Sequence, residues 1–295
     1  MRVLFPFLLS LLLSLAFLPD TALADTATGY DRQIQMIGRQ SSLGHRLVRS
    51  LCFAQAGIDT ARNLRVIEDS RTEVRNTLHT LLEGDPTRGI AAIDNSNIRT
   101  QIGSLEKVWN ALDKKTTAFL DGTAMSDEEV IKMTFKAESL EKLWRNVSQS
   151  LETMTSIDST PENLARARII VTATDQNRLL QQAGKDACLI HLAGGAAEAG
   201  HQVEELNAAL ATFDRNIFDL TFVRPAAINA SPQPEAMEQA AFDTWQTWVG
   251  LESLFQGVSH PGKDERLDML LPEISFTVEY LDQALQDTLE VFLSL

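Results

Sequence analysis

Residues 34–53 return in altered form 136 positions downstream. Gln40 falls on Gln176, Leu43 on Leu179, Arg49 on Lys185 and Cys52 on Cys188. The same offset carries Trp109 onto Trp245, Phe119 onto Phe255 and Trp144 onto Tyr280. An offset shared by residues as rare as Trp and Cys points to an internal duplication, which restricts the fold more than local propensity does. The chain is read as two tandem copies of one helical unit, packed as a pseudo-dimer.

Apolar residues recur at helical spacing nearly throughout, and the breaks fall at a few points. Helices are expected at 30–56, 59–83, 97–121 and 127–156, then at 162–199, 201–223, 234–257 and 272–294. Gly84-Asp85-Pro86-Thr87-Arg88-Gly89 is the strongest loop in the first half. Ser126 followed by Glu129 forms a capping box. Ser159-Thr160-Pro161-Glu162 is a start signal with proline in the first turn, and it divides a first unit, 25–158, from a second, 159–295. No alternation is long enough to build a sheet. The fold class is all-α, with four helices per unit.

Residues 1–24 read as a cleaved signal peptide: Arg2 as charged head, an apolar stretch over 3–18, and Ala22-Leu23-Ala24 as the cleavage site. The competing reading, an uncleaved anchor, meets an apolar core that is short for a span. No later run approaches the ~18 apolar residues a span needs. The mature product, cut after Ala24, is expected in the periplasm. The formal net charge of −14 argues against nucleic-acid or membrane-surface roles, although a local arginine cluster can still oppose the overall field. Two cysteines in an exported chain are enough for one staple.

Projected as a helix, residues 34–58 place Met36, Leu43, Leu47, Leu51, Ala54 and Ile58 on one face, with Gln40 in the middle of that stripe. Arg39 and Arg46 share its border, with Arg49 nearby. Two readings are open: the side chains snorkel to water, or they converge on a bound anion. Gly38, His45 and Cys52, spaced by seven, form a second seam matched by Thr174, Gln181 and Cys188. Such spacing suits close contact between helices. If the two sister helices pack about a pseudo-twofold axis, Cys52 and Cys188 meet in a disulfide; two separately buried thiols are the other reading.

Gly38, Arg39, Gln40, Leu43 and Arg46 resemble the signature helix of the N-terminal sensor domain of type IV pilus methyl-accepting chemotaxis transducers. That domain is similar to the periplasmic part of nitrate/nitrite sensor kinases. Gln176, Leu179, Gln181 and Lys185 fit the same frame. Where the family carries its anion-holding arginine, this chain has Ser41 and Asn177, with Arg178 one residue off register. The resemblance implies a sensory protein binding a small polar ligand, an anion, between the two signature helices. Arg39, Arg46, Arg178 and Lys185 would supply charge, and Gln40 and Gln176 would orient the ligand.

The five histidines show no metal or haem spacing, and no nucleophile elbow, phosphate loop or dinucleotide fingerprint occurs. No metal, cofactor or catalytic role is expected. Trp109, Trp144, Trp245 and Trp248 are read as core rather than as an aromatic ligand box. A separate partner, such as a membrane receptor, would carry the signal onward. The alternative function is a helical scaffold that docks on a membrane receptor or pilus machinery without a small ligand.

Overall fold

The computed structural model describes residues 21–156, 160–223, 234–260 and 266–293. Most of the expected leader, residues 1–20, lies outside them. The described chain is all-α: α1 (Thr21–Gln55), α2 (Thr60–Glu83), α3 (Ser96–Leu120), α4 (Asp127–Ser156), α5 (Pro161–Leu192), α6 (Gly200–Phe218), α7 (Pro234–Ser259) and α8 (Leu267–Leu293). No described helix is long and apolar enough to cross a membrane.

Local chemistry sets several boundaries. Glu129 Oε2 accepts from the Ser126 amide at 3.1 Å while the Glu129 amide donates to Ser126 Oγ at 3.2 Å, so α4 opens on a reciprocal capping box. At the start of α3, Asn95 Oδ1 accepts from the amides of Asn97 and Ile98. Helix α5 ends seven residues before the expected 199. Gly194 and Gly195 take φ of 92° and 126°, which turns the chain before α6 can start. Helix α6 ends at Phe218 and passes into a π-helical turn, Asp219–Val223, where one continuous helix was expected. Helix α8 begins at Leu267, five residues ahead of the expected 272.

The most extensive helix interface is between α1 and α5. Each of these two also packs against the helix that follows it, α2 or α6, and against a terminal helix of its own half, α4 or α8. Gly38 lets the central pair close, since a Cβ there would lie 2.5 Å from Thr174 Oγ1. Further along, Cys52 and Cys188 are joined by a disulfide with Cα atoms 6.2 Å apart.

The buried positions of the two halves run in the same order, but the 136 spacing holds only for α1 and α5. In α3, Ile98, Ile102, Leu105, Trp109, Leu112 and Thr116 are buried; in α7 the sequence is Met237, Ala241, Thr244, Trp248, Leu251 and Phe255. That is three residues further on. The longer α5–α6 turn, 193–199 against 56–59, accounts for the step. In the last helices, Met133, Ala137, Leu140, Glu141 and Trp144 answer to Ile274, Val278, Leu281, Asp282 and Leu285, five residues further on. The expected pairings therefore need correcting: Trp109 corresponds in burial to Trp248, not Trp245, and Trp144 to Leu285, not Tyr280. Tyr280 is 60% exposed. Trp109, Trp144 and Trp248 fill the core, and each side chain buried in this way contributes roughly 1.5–3 kcal/mol or more.

Candidate functional site

A polar seam runs through the middle of this apolar structure, where α1 and α5 meet α4 and α8. On one side, Arg39 holds Asp282 with two parallel bonds of 2.6 and 2.9 Å, and its Nε reaches Glu73 at 3.2 Å. Arg46 donates to Glu279 at 2.8 Å, and Arg49 contacts the other oxygen of the same carboxylate. Gln181 of α5 donates to Asp282 at 2.9 Å.

The other side repeats the plan with different residues. His45 Nε2 lies 2.8 Å from Glu141, which also faces Arg178 at 3.7 Å and Arg145 at 3.2 Å. Lys185 lies 2.9 Å from Asp186 and 3.9 Å from Glu138. Glu141 and Asp282 each thus meet a neutral or weakly basic partner from their own half, His45 or Gln181. Each also meets a permanent cation from the opposite half, Arg178 or Arg39.

These contacts set the ionisation of the seam. Burial opposes the charge on Arg39, but the Asp282 and Glu73 carboxylates outweigh it and raise its affinity for the proton. Arg49 goes the other way, because burial exceeds the attraction of Glu279. Burial would also raise Glu279, yet Arg49 and Arg46 hold it well below the usual carboxylate range. Glu141 is held down to about 2 against its own burial by the His45 hydrogen bond and the nearby cations. Burial lowers His45 to about 4, and a second proton on Nδ1 would find no acceptor to donate to. Asp186 is pushed up to about 6 by burial, which the adjacent Lys185 only partly offsets.

The six side chains expected to bind ligand do not converge between α1 and α5. Arg39 and Arg46 face α8, while Arg178 and Lys185 face α4. Gln40 turns to α2, donating to Thr77 Oγ1 at 2.9 Å, and Gln176 turns to α6, donating to the Phe213 carbonyl at 3.0 Å. The reason is steric and electrostatic: the two helices touch at Gly38 and Thr174, and the cations already have carboxylate partners. The choice between snorkelling and anion binding thus has a third outcome, internal ion pairing.

Arg39 and Gln40 do share a cleft, of about 360 Å³, on the outer side of α1 between α2 and α8. Asn177 reaches it from α5. Gln40 and Asn177 are each 1% exposed, and Gln40 Oε1 and Asn177 Oδ1 find no hydrogen-bond partner. Sequence reasoning picked out Gln40 but passed over the carboxylates. Glu141 and Asp282 interrupt the buried stripes of α4 and α8, and that interruption was the available signal.

No family model, curated protein or solved structure matches this chain.

Proposed function

We propose that the chain is an exported, non-enzymatic binding protein of the sensory type. It holds a small polar ligand in the α1–α2–α8 cleft and passes the occupied state to a separate partner. The observation that carries this reading is the pair of buried, unpartnered amide oxygens of Gln40 and Asn177 in a cleft lined almost wholly by polar side chains. An unpartnered buried polar group costs about 1–3 kcal/mol, and a ligand that satisfies it recovers that cost. The volume falls within the ~300–1,000 Å³ common for small-molecule sites. The sensor-like signature of α1 and the leader-like N-terminus favour a periplasmic setting.

Asn177→Leu tests the site directly. Removing an orphaned polar group should leave stability unchanged or raised, while binding in a calorimetric ligand screen is lost. A variant that binds as well as the parent would remove the cleft from consideration.

A second reading, a scaffold docking on a membrane receptor or pilus machinery, is favoured by Met269, Phe276 and Tyr280. They lie 76%, 52% and 60% exposed at helical spacing along α8. Phe276→Glu would then abolish co-purification of a partner and leave ligand binding untouched.

A further inference from the structure

We infer that the cleft takes a ligand carrying an ammonium or guanidinium group, a small amine cation, in place of the anion that the signature helix suggests. This deepens the proposed function and rests on the cleft being a binding site. The chemistry of the lining decides the sign.

The strongest donor at the inner end of the cleft, Arg39, is already engaged by the protein. All three guanidinium nitrogens of Arg39 bond to Asp282 and Glu73. Four glutamines also spend an N–H group on protein partners: Gln35 on Glu290, Gln40 on Thr77, Gln283 on Asp287 and Gln286 on Asp282, at 2.8–2.9 Å. The two orphaned buried atoms of the lining, Gln40 Oε1 and Asn177 Oδ1, are both acceptors. A ligand that satisfies them must bring donors, and an ammonium group brings three.

Charge points the same way. With Arg39 neutralised by Asp282, the lining keeps Glu73, Asp287 and Glu290 against Arg88. The formal charge of −14 adds a long-range field that draws cations and repels anions. Among the described residues of the lining, an entering carboxylate or nitrate would meet one free cation, Arg88, against three carboxylates. An amine finds both acceptors and carboxylates, and the broad terminal torsion of a glutamine lets Gln40 turn its oxygen toward it.

The test is calorimetry on the mature chain at low and moderate salt, with 1,4-diaminobutane and spermidine as amine probes and nitrate and succinate as anion probes. The amines should bind and weaken as salt rises, and the anions should not bind. Asp287→Asn with Glu290→Gln changes two exposed side chains, so the fold is not at risk. It should weaken amine binding roughly three- to tenfold. Binding of nitrate or succinate without the amines would overturn the inference and keep the cleft as a site. Amine binding that survives Asn177→Leu and the double variant unchanged would place the amine elsewhere and also overturn it. If neither class binds, the cleft reading itself fails, and this inference with it.

Discussion

The two sides of the central seam have one plan and two chemistries. Against α8, Arg39, Arg46 and Arg49 meet Asp282, Glu279 and Glu73, and a guanidinium keeps its charge at any pH a cell meets. Against α4, His45, Arg178 and Lys185 meet Glu141, Glu138 and Asp186, and here burial moves His45 to about 4 and Asp186 to about 6. One scaffold therefore carries a fixed ionic lock on one side and a proton-responsive cluster on the other. The two sister helices differ at most of the seam positions: His45 answers to Gln181 and Arg49 to Lys185, but Arg39 falls on Asp175, Arg46 on Gln182, Ser42 on Arg178 and Ser50 on Asp186.

The largest expected contrast comes from deleting the two sister carboxylates. Asp282→Ala strips the buried Arg39 of its bidentate partner, and urea denaturation should show a loss of about 3–5 kcal/mol. Glu141→Ala should cost less, about 1–3 kcal/mol, because His45 is neutral and Arg178 keeps Asp175 at 2.6 Å. Equal losses would mean that the two sides are energetically alike.

Next in size is the contact that brings the sides together. Gly38→Ala drives a methyl group into Thr174 and should cost about 1–3 kcal/mol, with Thr174→Ala in the same chain recovering most of it. A single variant as stable as the parent would show that α1 and α5 can separate freely at this point.

The smallest effect is the most specific to the α4 side. The folded pKa of His45 is depressed, so its stabilising effect is complete above about 6.5 and is lost as pH falls toward about 4. Asp186 works in the opposite direction. Its raised pKa favours the protonated carboxyl, so stability falls as pH rises from about 4 to about 6. His45→Gln imitates the sister position, keeps a donor for Glu141 and removes the histidine contribution. The pH of greatest stability, followed by thermal melting, should move downward. The stabilisation from Glu141, present above about 4.5 and lost toward about 2, should remain in both proteins. An unmoved optimum would take His45 out of the account.

Helical periodicity, the capping box at Ser126 and the turn glycines were readable because each is a local rule with a local cause. The contact between the helices that carry Cys52 and Cys188 was readable from the shared spacing of rare residues. The register of the later helices was not, since a longer α5–α6 turn displaces everything after it and makes Trp245 look like the partner of Trp109. The cleft was harder still. Gln40 stood out as an amide in an apolar stripe, but Asn177, Gln283, Gln286 and Asp287 become its neighbours only through packing between α1, α5 and α8. Which arginines are free for a ligand depends on carboxylates more than 200 residues away, as Arg39 and Asp282 show.

The Cys52–Cys188 bridge has a consequence for the connectivity of the molecule. It turns residues 52–188, with α2, α3, α4 and most of α5 inside them, into a closed covalent ring from which the two remaining ends of the chain extend. One backbone cut within that ring, at the exposed Thr87–Gly89 turn for instance, opens the ring without releasing a fragment until the sulfurs are reduced. The chain thereby tolerates a first proteolytic nick across nearly half of its length.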